Sequence, residues 1–176
     1  MKLLKFNGKN SYIRDIGKSR YKVWVETEGY VDPSIAPDGC WLDELDDDTA
    51  IYWIVKDGDN IAATARLNII YSLGNLPHKE EFSNYDFSKL KMPYSFMSRL
   101  VVLKDYRGRG IAHKLDRARI LESQAHGAKA ILSLPTPYRV SSFLKLGFQN
   151  LGLSGVSAEN MPDIKIQMYA MVKYFL

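Results

Sequence analysis

Cysteine is nearly missing: Cys40 is the single one among 176 residues, so no disulfide can close within the chain and no cysteine-based zinc site can be assembled. A reducing, cytoplasmic setting is the expectation. Long apolar runs are missing too. The opening MKLLKFNGKN has no extended apolar stretch followed by a small-residue cleavage site, and no later segment nears the roughly 20 apolar residues of a bilayer span. Neither secretion nor membrane insertion is expected. Nor is there a large excess of one charge: 24 Lys and Arg against 20 Asp and Glu leave +4. That is too little to wrap DNA or RNA, so no nucleic-acid partner is expected, and it is enough to attract a compact anionic ligand. Internal repeats, low-complexity tracts and Pro/Ser-rich linkers are absent, which leaves nothing to mark a domain boundary.

What is present describes an ordinary globular protein. The hydrophobic fraction is 46% and the charged fraction 25%, far from the composition of intrinsic disorder. The length suits one well-buried core, so a single domain over residues 1–176 is expected.

Residues 2–6 predict a first edge strand. Residues 12–28 place Ile13, Ile16, Tyr21, Trp24 and Val25 at helical spacing, and Gly29 ends that helix. Residues 31–48, with two prolines and many acids, predict a loop that could line a substrate cleft. Residues 50–56 and 61–70 are rich in β-branched and aromatic side chains, and the turn formers Asp57, Gly58, Asp59 and Asn60 between them signal a hairpin. Residues 71–93 mix glycine, proline and charge and predict a long excursion over the surface. A strand over 95–103, a helix over 110–126, a buried strand over 129–134, a short helix over 138–146 ending at Gly147, and a last strand over 164–175 complete the order. This order predicts an α+β fold with helices on the faces of a sheet.

The segment YRGRGIAHK, Tyr106 to Lys114, carries the most chemistry because it is a glycine turn set between a strand and a helix. Gly108 and Gly110 let the backbone approach a ligand closely, so several N–H groups can converge on phosphate oxygens. The helix N-terminus adds partial positive charge. Arg107, Arg109, His113 and Lys114 surround the turn, and guanidinium forks suit phosphate. The Lys-Ser or Lys-Thr pair of a P-loop and the three-glycine spacing of a dinucleotide fingerprint are both missing. A pyrophosphate is the expected occupant.

At Arg107, Gly110 and Ala112 this turn resembles the pyrophosphate loop of the GNAT acetyltransferase superfamily, which reads Gln or Arg, two residues, Gly, one residue, Gly or Ala. The strand SRLVVLKDY, the following helix, the strand KAILSLP and the helix ending FLKLGF are similar to that family over residues 95–149. The resemblance implies a GNAT-like, mixed and largely antiparallel central sheet. It implies an acyl-CoA, acetyl-CoA above all, as co-substrate and an amine-bearing small molecule or peptide as its acceptor, with a homodimer left open. It further implies that backbone groups of Leu100, Val101, Val102 and Leu103 meet pantetheine, while Arg107, Gly108, Arg109, Gly110, Ile111, Ala112 and His113 meet the pyrophosphate.

The catalytic groups follow the family less closely. Where many members carry a tyrosine four residues before the glycine of the final helix, this chain has Phe143, and where many carry a glutamate in the central strand it has Phe96. Amide formation needs a base for the protonated amine and an acid for the departing thiolate. Tyr138 and Ser142 are the hydroxyl candidates. Glu26 is the candidate base, with Glu28 and the cluster Asp43, Glu44, Asp46, Asp47 and Asp48 as alternatives; the acidic cluster is otherwise expected to be a solvated loop. His78, His113 and His126 are scattered, so no metal centre is expected, and Trp24, Trp41 and Trp53 are expected in packing or as cleft wall. The segments RYKVWVETEGY and ELDDD, with SRL in the central strand, also resemble acyl-homoserine-lactone and N-acyl amino acid synthases, which implies longer acyl chains. A non-catalytic module that binds acyl-CoA is the third reading.

Overall fold

In the computed structural model, which describes residues 1–88, 90–155 and 164–175, Lys2–Asn7 (β1) pairs antiparallel with Ile51–Asp57 (β2), and β2 turns through Gly58 into Asn60–Ile70 (β3). Tyr94–Val102 (β4) lies antiparallel to β3. Ala130–Ser133 (β5) lies parallel to β4, and Tyr169–Tyr174 (β7) and Gln149–Leu153 (β6) close the sheet in the order β1-β2-β3-β4-β5-β7-β6. The expected mixed, largely antiparallel sheet is therefore present, and its one parallel pair, β4 with β5, lies at the centre.

Among the described residues three α-helices cover it: Ile13–Tyr21 (α1), Ile111–Ala125 (α2) and Val140–Lys145 (α3). Strand alternation sends Met97 to one face, where it packs with Ile111, Leu115 and Phe143 of α2 and α3, and Phe96 to the other. Because both faces are covered, β2 and β3 are buried almost throughout and read as continuous apolar runs.

Three expectations need correction. The helix over 12–28 is two helices: after Tyr21 the chain continues as a π-helix over Lys22–Thr27, which rotates the side chains that follow. The excursion over 71–93 is no surface loop, since Phe82 and Leu90 are buried against Tyr94, Phe96, Leu132 and Val172 and form a second core on that face. Strand β6 was not expected; it is short, contains Gly152, pairs on one side only and shifts register between Asn150 and Gly152, so its pattern is weak. The last strand forms its ladder only from Tyr169, while Ile164 joins Val31 through a single bridge. Among the described residues no helix is long and apolar enough to cross a membrane.

Candidate active site

Strands β4 and β5 pair only through Ser95–Ile131, Phe96–Leu132 and Met97–Ser133, and part beyond them. On its other edge β4 carries a bulge: Arg66 faces Ser98 and Thr64 faces Val101, so Arg99 and Leu100 stand opposite Ala65 alone. Arg99 adopts a φ of 51°, a conformation that costs a non-glycine residue roughly 1–2 kcal/mol. Two contacts hold it. The Nη1 of Arg119, on α2, donates to the carbonyl oxygens of Arg66 and Ser98 at 3.2 and 3.1 Å, and the Arg99 Nε donates to Asp43 at 2.7 Å. The Leu103 N–H is spent on the Ala62 carbonyl at 2.9 Å. Strand alternation therefore turns the main-chain groups of Val102 and Leu100 to the opposite edge, into the gap.

That gap is a cleft of about 500 Å³ walled by Leu100, Val101 and Val102, by Trp24, Glu28 and Tyr30, and by Thr136, Tyr138 and Arg139. Arg107, Gly108, Gly110, Ile111 and Ala112 complete the wall. Gly108 and Gly110 have φ of 73° and 71°, and a Cβ on either would meet nothing within 4 Å. The glycines thus serve backbone conformation and leave clear space in front of the turn. Gly110 is the N-cap of α2 and no side chain caps that end. The first-turn N–H groups are therefore available to an anion.

Of the residues expected at the pyrophosphate, Arg107 reaches the cleft with its Nη1 2.6 Å from the Glu28 carboxylate and its Nε donating to Val102 O at 3.1 Å. Arg109 turns instead to the Asp105 carbonyl at 2.9 Å and lies over the Tyr106 ring. Arg109, His113 and Leu103 lie outside the cleft lining.

Of the expected catalytic residues, Tyr138 lines the cleft. It is largely exposed and stacks on Tyr30 with 6.4 Å between ring centres. The hydrogen bond to Tyr138, reinforced by burial and by the negative charge of Glu28, pushes the Tyr30 hydroxyl up to about 12. Ser142 is half-buried on α3 and Glu26 is exposed; neither lines the cleft. Glu28 stands where Glu26 was expected, because Trp24 and Glu28 share one side of the helical segment and Glu26, two residues from each, does not. Sequence reasoning missed Tyr30, Thr136 and Arg139. The spacing Trp24–Glu28 was the available signal. The indole Nε1 of Trp24 is buried without a hydrogen-bond partner, a donor held at the wall of the cleft.

The acidic segment is the largest departure from expectation. Asp43 and Asp46 do not point into water. The Arg20 guanidinium donates to both carboxylate oxygens of Asp46 at 2.6 and 3.0 Å, and Arg66 bridges Asp43 and Asp46 at 2.5 and 2.9 Å. Arg99 joins Asp43 at 2.7 Å, and Tyr52 donates to Asp46 at 3.0 Å. Burial pushes both carboxyls up, but the arginines outweigh it and hold them well below the usual carboxylate range: Arg99 and Arg66 for Asp43, Arg20 and Arg66 for Asp46. Replacing water by these partners makes the network self-consistent, and removing one partner would leave a buried charge exposed to a low dielectric. His78, expected on a surface loop, is half-buried beside the Phe96 ring, and burial with the Arg99 charge pushes its pKa down.

The model of the acetyltransferase (GNAT) family matches residues 13–148. No curated protein sequence matches the chain. Among solved structures, BjaI, a CoA-dependent acyl-homoserine lactone synthase held with SAM and isopentyl-CoA, is similar at a TM-score of 0.70 and 19% identity over 97% of this chain and 81% of its own. FeeM, an N-acyl amino acid synthase from uncultured soil microbes, is similar at 0.69 and 14% over 98% of this chain and 90% of its own. An acetyltransferase of the GNAT family from Staphylococcus aureus is similar at 0.59 and 14% over 98% and 99%. At these identities the structural likeness is one of fold.

Proposed function

This chain belongs to the acetyltransferase (GNAT) family, and from that premise we propose that it is an N-acyltransferase moving the acyl group of a coenzyme A thioester to a primary amine of a small molecule or peptide. One observation carries the reading: an uncapped α2 N-terminus behind two left-handed glycines opens onto a cleft made by the parting of β4 and β5. Residues there fit such a donor. The first-turn N–H groups and Arg107 suit two phosphates, and the turned-out main chain of Leu100 and Val102 suits the amides of a pantetheine arm.

Chemistry falls to the groups on the facing wall. An alkylamine near a pKa of ~10.4 is mostly protonated at neutral pH, so Glu28 takes its proton, directly or through water. The nitrogen–carbon bond then forms as the carbon–sulfur bond breaks, Tyr138 delivers a proton to the sulfur, and the second proton leaving the nitrogen passes through water to restore the Tyr138 phenol. Tyr30, whose hydroxyl is pushed up to about 12, stays protonated at neutral pH and keeps Tyr138 in place. Trp24 Nε1 is a free donor for the acyl oxygen. Positioning of the two reactants supplies the rest.

The test is calorimetric titration of the purified protein with CoA and acetyl-CoA, followed by a thiol-release assay over a panel of amines. Heat of binding and an amide product of the right mass are expected; no binding of either compound to folded protein would overturn the reading. A donor chain longer than acetyl is the second reading. It is favoured by a further cavity of about 90 Å³ that continues the cleft past Leu100 and Thr136, and it matches BjaI, which is held with isopentyl-CoA. Relative turnover of donors from two to eight carbons, on CoA and on acyl carrier protein, separates the two.

A further inference from the structure

The cavity beyond the cleft sets three arginines beside the apolar Met97, Leu100 and Leu134. Arg99, Arg119 and Arg139 line it together with Ser98, Ser133 and Phe143. Arg119 is 2% exposed. Its Nη1 braces the β4 bulge and its Nη2 donates to Asp116 at 2.6 Å, while its Nε is buried without a partner. Asp116 is shared with Arg139, which also lines the main cleft and so stands at the junction of the two spaces.

Charge does not balance around this cavity. The lining guanidiniums are those of Arg99, Arg119 and Arg139, and among the described residues the carboxylates paired with them are those of Asp43, which Arg66 shares, and Asp116. The lining therefore carries more positive charge than its carboxylates offset. Burial pushes the pKa of both Arg99 and Arg119 down, against the pull of Asp43 and Asp116. Glu81 and His78 also stand near Arg99. Burial pushes the Glu81 carboxyl up, its Oε2 has no partner, and among the described residues it pairs with no arginine. Burial and the Arg99 charge favour neutral His78.

An anion in the cavity would offset the excess. At about 90 Å³ the cavity has room for a carboxylate, and guanidinium forks suit that planar group. We propose that this cavity is a carboxylate subsite, holding a carboxylate of the substrate between Arg139 and Arg119. The inference rests on the acyltransferase reading above. Because the cavity continues the donor cleft, the far end of a short dicarboxylic acyl chain is the source the lining favours; the carboxylate of an amino acid acceptor is the other.

Calorimetric titrations of the whole chain with CoA, butyryl-CoA and succinyl-CoA test it, followed by the proteinogenic L-amino acids against their α-amides with CoA bound. Succinyl-CoA is expected to bind at least tenfold tighter than butyryl-CoA, and Arg139→Gln to shrink that ratio below twofold, whatever it does to the affinity for CoA itself. Equal binding of the two thioesters with a tenfold preference for an amino acid over its amide supports the subsite and assigns the carboxylate to the acceptor. No preference in either pair overturns the subsite while the donor reading stands. If CoA itself fails to bind, the donor reading falls and this inference falls with it. The wild-type comparison decides even if the variant does not fold.

Discussion

Glu28 and Arg107 meet at 2.6 Å across the cleft, joining the segment after the π-helix to the glycine turn. The carboxylate thus occupies a guanidinium that a phosphate would claim, and the same carboxylate is the proposed base. Donor entry and proton transfer therefore compete for one pair of residues: as phosphate takes Arg107, Glu28 is released toward the amine.

Glu28→Gln should move two measurements in opposite directions. Without the ion pair Arg107 is free, so the dissociation constant for CoA should fall by roughly two- to fivefold, the range of a partly exposed pair. Without the base, kcat should fall by about 100-fold. Calorimetry and steady-state kinetics on one preparation check both, and a loss of CoA affinity would contradict the arrangement.

Gly110→Ala and Gly110→Trp separate conformation from space. The φ of 71° penalises any side chain by roughly 1–2 kcal/mol, so both variants should lower the melting temperature by several degrees. Only the tryptophan should abolish CoA binding, because the space in front of Gly110 is empty of protein and a methyl fits there.

Tyr138→Phe should lower kcat by roughly 10- to 100-fold while leaving the CoA dissociation constant within about twofold. Tyr30→Phe should cost less, since it supports Tyr138 without delivering the proton. Equal losses from the two would make Tyr30 and Tyr138 a single unit, and no loss from Tyr138→Phe would remove it from the chemistry.

Asp43→Asn should destabilise the fold by about 3 kcal/mol in urea unfolding, because Arg99 then lacks an anion and Arg66 keeps only Asp46. The pH profile carries a further sign. The folded carboxyls of Asp43 and Asp46 titrate below their unfolded value, so their contribution is complete above about pH 4 and is lost as pH falls through the folded values. The buried His78 has a lowered pKa as well, so below about pH 6.5 the unfolded state binds a proton that the folded state resists. Acid destabilisation should begin there and steepen below pH 4. Asp43→Asn should flatten the steeper part alone.

Legibility followed the range of the interactions. The glycine turn was readable because φ above zero and an anion-ready helix start are local properties of Gly108, Gly110 and the residues after them. The hairpin from β2 to β3 was readable for the same reason. Glu26 and Glu28 were both candidates on one expected helix, and only the fold, with a π-helix over Lys22–Thr27, put Glu28 in the cleft and left Glu26 exposed. The acidic run read as a solvated loop because its partners Arg20, Arg66 and Arg99 lie 26, 23 and 56 residues away.

By itself, then, the sequence determined the β2–β3 hairpin, the run of elements from β4 to α3, the glycine turn between them and the membership that follows, since each rests on backbone preferences and spacing within a few residues. Tertiary structure alone decided where charge sits: which carboxylates are buried, which arginines face the cleft, and that Arg99, Arg119 and Arg139 meet at one small cavity. Electrostatic energy in a low dielectric depends on distances across the fold, and no pattern along the chain encodes those distances.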